Sequence, residues 1–145
     1  LADKLDEPFI VINGDILTAI DFRKFYEFAV NKNEMLTIAI KKEILPFAFG
    51  NISFKGDVVT NVEEKPDFVT YILAGIYVMH PDILEIIPRN TYYGMDTLIK
   101  DMLLRKNKII KYEMNEYWLD IGRLNDYEHA QNIYNKHFKN NEKEE

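Results

Sequence analysis

Asp120 stands in the segment Tyr117-Trp118-Leu119-Asp120-Ile121-Gly122-Arg123, between two apolar residues and just ahead of a Gly-Arg pair. The segment holds the only Trp of the chain. A carboxylate on a stiff apolar frame beside a tight turn is one way to present a metal ligand. A buried Trp followed by a Gly turn reads equally as plain structure. Asp15 follows Asn13-Gly14 at the end of the apolar run 9–12. Ligands in open α/β sheets gather outside the carboxyl ends of the strands. A carboxylate there suits a hard cation such as Mg2+, which takes one or two carboxylates with phosphate oxygens. A ligand-free Asn-Gly-Asp turn fits the same residues. Lys65 follows Glu63-Glu64 and precedes Pro66, which predicts an extended backbone and a directed ammonium. Such a Lys serves as a point charge for phosphate. Glu64 can accept hydrogen bonds from sugar hydroxyls, and a charged hairpin exit is the simpler alternative. Gly75 interrupts an apolar strand and Gly50 precedes a hairpin. A strand Gly marks close approach of a ligand or another backbone, or else a bulge.

The elements that must position these groups follow from hydrophobic periodicity. The run 9–12 is continuously apolar, as in a strand buried on both faces of a parallel sheet. Asp21 predicts a helix cap ahead of an apolar stripe of Phe22, Phe25, Tyr26, Ala29 and Val30. Residues 35–40 read as the next strand, ending at Lys41-Lys42-Glu43, and together these make a βαβ unit. Runs 51–54 and 58–62 around Lys55-Gly56-Asp57 read as a hairpin. Residues 72–79 give a further strand, and His80-Pro81-Asp82 opens a helix that stops by Pro88. Asp96 is expected to cap the helix carrying Leu98, Ile99, Met102 and Leu103, and 108–114 reads as a strand. Asn125 and Glu128 suggest a capping box ahead of a last helix with Tyr127, Ala130, Tyr134 and Phe138. The expectation is a single α/β domain over 1–139 with a charged tail over 140–145.

Composition narrows the function classes. The 145 residues allow one domain with a sizeable core. At 47% hydrophobic and 29% charged, the chain reads as globular. The 18 Lys and Arg against 24 Asp and Glu give a net charge of −6, which offers no electrostatic footprint for nucleic acid. With no Cys, disulfides and Cys-based zinc sites are excluded. That absence is compatible with the cytoplasm. No apolar run reaches the roughly 18 residues of a membrane span, so no membrane partner is expected. His80, His129 and His137 show no metal-ligand spacing.

In order along the chain, the segments 8–15, Gly50, Glu63-Glu64-Lys65-Pro66, Ala74-Gly75-Ile76-Tyr77-Val78 and Tyr117-Trp118-Leu119-Asp120-Ile121-Gly122-Arg123 resemble the sugar-1-phosphate nucleotidyltransferases. The resemblance is closest to the mannose-1-phosphate guanylyltransferase-like branch and runs from Pro8 to about Gln131. It implies a Rossmann-like α/β fold, with a mostly parallel sheet, flanking helices and an inserted β-hairpin. It implies that Asp15 and Asp120 hold a catalytic Mg2+, and that Lys65 binds the phosphate of a sugar 1-phosphate. Glu64 and Gly50 would contact sugar hydroxyls, and Gly75 would let the sugar ring approach the strand. The implied reaction joins a sugar 1-phosphate to a nucleoside triphosphate, GTP by the branch resembled, with release of pyrophosphate.

Two departures qualify that expectation. Leu73 stands where many relatives carry an Asn that contacts the sugar, and an apolar side chain cannot replace that hydrogen bond. The Gly-rich triphosphate loop that opens the family pattern does not occur in these 145 residues, so the isolated chain is expected to be inactive and to represent a C-terminal part. Self-association through an exposed sheet edge is expected on the same grounds. The alternative is a non-catalytic sugar-phosphate-binding or regulatory module of the same fold. An unrelated βαβ interaction domain would require every motif to coincide by chance.

Overall fold

The structure, a computed structural model, describes residues 5–122 together with 127, 130, 131, 133 and 134. Four strands form the main sheet: β1 (Phe9–Ile12), β6 (Asp67–Met79), β3 (Leu36–Pro46) and β7 (Ile109–Met114), in that spatial order. β6 is antiparallel to both neighbours, and β3 is parallel to β7. β1, β3 and β7 therefore share one direction and β6 runs against them, so the sheet is mixed, with one parallel ladder and two antiparallel ones where a mostly parallel sheet was expected. Two short ribbons complete the strands. β2 (Ile16–Thr18) pairs with β8 (Trp118–Asp120), and β4 (Asn51–Lys55) pairs with β5 (Val58–Glu63) as the hairpin.

The alternation of β6 divides the core. Ala74, Ile76 and Val78 join Phe25 and Ala29 of α1 (Phe22–Lys32) on one face, with Ile20, Ala39 and Met114. Tyr77 and Met79 join Ile83 of the 3-10 helix Pro81–Glu85 and Leu98 and Met102 of α2 (Met95–Leu104) on the other, with Leu36. Both faces of the central strands are thereby covered, which is why their sequences are continuously apolar. Among the described residues no helix is long and apolar enough to cross a membrane.

Local expectations meet three corrections. Residues 9–12 form an edge strand rather than one buried on both faces, with Ile10 36% and Ile12 43% exposed. Asp21 caps α1 as expected, its carboxylate accepting from the Lys24 N–H at 3.0 Å. Asp96 does not cap α2. Gly94 does, with extended backbone and its carbonyl accepting the Leu98 N–H. Asp96 instead lies in the first turn, where a negative charge favours the helix N-terminus. The Lys100 ammonium beside it, and the Thr97 N–H, hold its carboxyl below the ordinary range. β3 runs on through Lys41-Lys42-Glu43 to Pro46, because β6 pairs with it as far as Asp67. The expected capping box at Asn125 and Glu128, Phe138 and the 140–145 tail lie outside the described residues.

Candidate functional site

β1 and β6 deliver the first carboxylate. β1 ends with Ile12 opposite Ile76, and the Asn13 N–H then donates to the Gly75 carbonyl at 2.9 Å. The chain turns through Gly14 and Asp15 and enters β2. This three-residue strand was not legible as a separate run. It pairs antiparallel with β8, Ile16 opposite Asp120, and the Ile121 N–H donates to the Asp15 carbonyl at 2.8 Å. Asp15 and Asp120 are therefore neighbours across one ladder, with Cα atoms roughly 6 Å apart by strand geometry. Both residues are exposed, and among the described residues neither carboxylate has an ion-pair or hydrogen-bond partner. A Cβ on Gly122 would come within 3.5 Å of Asp120 Oδ1, so that Gly sits directly beside the carboxylate.

The frame around Asp120 is tied at several points. The Trp118 indole N–H donates to the Ala74 carbonyl at 2.7 Å. The Thr18 hydroxyl and the Ala19 N–H both donate to the Tyr117 carbonyl at 2.9 Å. Burial pushes the Tyr117 phenol above its ordinary pKa. Ile16 and Trp118, on the same side of the ribbon as Asp120, pack against the α1 core. On the other side, Leu17 and Ile121 line an open groove of about 520 Å³ with Tyr127, Ala130, Gln131 and Tyr134.

Gly75 was expected to allow close approach of a sugar ring. Its φ of +70° is the left-handed region, and the Asn13 side chain is what lies against it. A Cβ there would sit 2.8 Å from Asn13 Nδ2, 3.1 Å from Cγ and 3.3 Å from Cβ. Sequence reasoning passed over Asn13 as a turn residue. The available signal was a medium-sized polar side chain at the end of β1 and a Gly in the strand that covers it.

A second group forms at the start of β6. The Glu64 carboxylate rests against Gly50, with Oε2 3.3 Å from the place a Cβ would take. Lys65 is exposed, and among the described residues its ammonium has no ion-pair partner. Its backbone is not extended as Pro66 predicted: φ is +48°. The chain must leave β5 at Glu63 and enter β6 at Asp67, while buried Pro66 is held by its carbonyl accepting the Phe47 N–H at 3.0 Å. Lys65 takes up that turn, at a cost of about 1–2 kcal/mol for an L-residue. From Asp67 to Gly75 is eight steps along β6, a contour of no more than about 27 Å at the strand rise. The structure thus gathers Asp15, Asp120 and Gly75 at the middle of β6, and Gly50, Glu64 and Lys65 at its start.

The donor set suits a hard cation. Among the described residues no three His, Asp or Glu side chains converge. Asp15 and Asp120 are the carboxylates that could serve Mg2+, which takes one or two carboxylates and completes its shell with substrate phosphates and water.

Residues 1–137 match the family model described as nucleotidyl transferase. The chain belongs to the nucleotidyl transferase family. It is 30% identical over 129 residues to the mannose-1-phosphate guanyltransferase of Yarrowia lipolytica, covering 86% of this chain and 35% of that protein. It is 31% identical over 137 residues to the mannose-1-phosphate guanyltransferase of Pichia angusta, covering 88% and 37%. Its fold is similar to the crystal structure of HddC from Yersinia pseudotuberculosis, with a TM-score of 0.60 at 26% identity over 88% of this chain and 56% of that one. The structure of HddC complexed with GMP-PN gives 0.57 at 25% identity, with the same coverage. The Rossmann-like α/β architecture expected from the motifs is the fold of this family. The chain spans about a third of the length of the curated relatives it matches, and about half of the solved ones.

Proposed function

We propose that this chain is the metal-binding and sugar-phosphate-binding part of a sugar-1-phosphate nucleotidyltransferase that uses GTP. The observation that supports the reading is the β2–β8 ladder, which brings the backbones of Asp15 and Asp120 to diagonal positions across one ribbon. In this reading they hold Mg2+, which when bound neutralises phosphate charge. Lys65 is a point charge for the phosphate of the sugar 1-phosphate, and Glu64 and Gly50 receive sugar hydroxyls. A sugar-phosphate oxygen attacks the α-phosphorus of the triphosphate, the bond between the α- and β-phosphates breaks, and pyrophosphate leaves. Positioning and charge neutralisation are the main demands of such chemistry. The guanyltransferase names of the relatives, and GMP-PN in the HddC complex, support guanosine as the base. The same reading places the protein in the cytoplasm.

These 145 residues alone hold no Gly-rich triphosphate loop, so we expect mannose 1-phosphate binding that depends on Mg2+ and no turnover with GTP. Calorimetric titration with mannose 1-phosphate, with and without Mg2+, tests the first. Pyrophosphate release from the purified chain would overturn the second. Loss of mannose 1-phosphate binding in Lys65→Met, with Mg2+ binding retained, is the expected signature of a phosphate contact. The half-exposed β1 edge is proposed as a self-association surface, and sedimentation as a concentration-independent monomer would remove it.

A further inference from the structure

β6 carries two more residues than β3 across its middle. Ile38 pairs with Tyr77, and Ile40 with Leu73, so Ala74, Gly75 and Ile76 stand against Ala39 alone. A bulge of this kind interrupts the ladder and frees backbone groups from it. Two of the carbonyls at this bulge are taken up by the two segments that carry aspartates. The Gly75 carbonyl, on the β1 side, accepts the Asn13 N–H at 2.9 Å as the next rung beyond Ile12–Ile76, and the Ala74 carbonyl accepts the Trp118 indole N–H at 2.7 Å. Asn13 stands two residues before Asp15, and Trp118 two residues before Asp120. Asn13 also lies across Gly75, in space that any other residue's Cβ would claim.

We propose that Asn13, Gly75 and Trp118 are positioning residues: the β6 bulge is a common anchor that sets the register of Asp15 against Asp120. The consequence for a shared cation rests on the reading above, but the register itself has a metal-free reporter. The Ile121 N–H donates to the Asp15 carbonyl, so this one hydrogen bond closes only when the two segments are in register. Anchoring through the bulge requires that damage at Ala74–Gly75 reach this bond while leaving the β3–β7 ladder intact. A residue serving only general stability would loosen both together.

The test is amide hydrogen exchange by NMR on the 145-residue chain, comparing wild type, Gly75→Ala, Trp118→Phe and the double variant Asn13→Gly/Gly75→Ala. Gly75→Ala and Trp118→Phe should each lower protection of the Ile121 amide about tenfold relative to amides of β3 and β7. Asn13→Gly/Gly75→Ala should recover part of it, because the crowded side chain is gone. Unchanged Ile121 protection in both single variants, or a loss shared equally by β3 and β7, overturns the proposal. Mn2+ is the probe for the cation. Broadening of the Ile16 and Ile121 amide signals should appear in wild type, vanish in Asp15→Asn, and need about tenfold more Mn2+ in Gly75→Ala. No broadening in wild type would remove the metal reading, while the exchange data would still decide the register. Equal Mn2+ midpoints in wild type and Gly75→Ala would sink the link between register and cation binding.

Discussion

Replacing Gly75 with Ala measures how tightly the β6 bulge is packed against Asn13. Three terms act. An L-residue at φ +70° costs about 1–2 kcal/mol. Crowding adds to this, and its size depends on whether Asn13 can yield. The Nδ2 at 2.8 Å is the end of a side chain and can swing away. The Asn13 Cβ at 3.3 Å cannot leave without moving the backbone. That residual strain is worth about 1 kcal/mol, at the low end for overpacking. Removing a Gly from the unfolded chain returns about 0.4–1 kcal/mol. The expected net loss is about 1–3 kcal/mol, or roughly 3–10 °C in melting temperature for a chain of this size. Urea unfolding at neutral pH gives the number, with an unchanged m-value showing that the compactness of both states is unaltered. Asn13→Gly in the same chain isolates the contact. The double-mutant cycle should show a coupling of about 1 kcal/mol between positions 13 and 75. A Gly75→Ala variant within 0.5 kcal/mol of wild type, or no coupling beyond about 0.3 kcal/mol, would refute the reasoning.

Thr37 is 1% exposed in the central strand β3, and among the described residues its hydroxyl has no partner. Thr37→Val should therefore stabilise the fold by about 1 kcal/mol in urea unfolding. Asp21 is held below the ordinary carboxyl range first by the Lys24 backbone N–H it accepts, and also by the Lys24 ammonium. A lowered folded pKa gives stability that is present above the unfolded value, near pH 4, and is lost as pH falls through the folded one. Asp21→Asn keeps the cap without the charge. The melting-temperature difference between wild type and Asp21→Asn should be constant above about pH 5 and should shift as pH falls below about 4. Ile10→Lys places a charge on the β1 edge and should lower any concentration-dependent sedimentation without altering the helical circular dichroism.

The elements with full apolar periods were legible. Residues 22–32 carry a complete helical stripe behind a capping Asp, and the hairpin around Gly56 follows directly from its turn residues. What sequence could not supply was pairing. β2 offers only Ile16-Leu17-Thr18, too short to be read as a strand, yet it brings Asp15 to Asp120. Residues 9–12 are as apolar as a central strand, but strand order, which no local pattern encodes, puts them at the edge. Lys65 shows a second limit. Local sterics ahead of Pro66 favour extended backbone, and the need to turn from β5 into β6 overrides that preference. The two aspartates and the Lys were recognisable as candidates from their neighbours in the chain. Their division into two groups along β6 depends on the long-range ladder between β3 and β6.

That division gives the bulge a second consequence. A bulge bends its strand and increases the local twist. The bend at Ala74–Ile76 lies between the part of β6 that packs in the core and the part that leaves it. β7 stays paired with β3 through Lys41, and from Lys42 onward β3 and β6 continue as a two-stranded ribbon with Ile44, Leu45, Val69 and Tyr71 all about half exposed. The bulge therefore lies between the aspartate segments and the ribbon that leads to Lys65. The bulge proposed to anchor Asp15 and Asp120 thus also lies on the path along β6 to Lys65. A change at Ala39 or Gly75 should alter both groups at once, whereas a change in the β4–β5 hairpin should reach Glu64 and Lys65 alone.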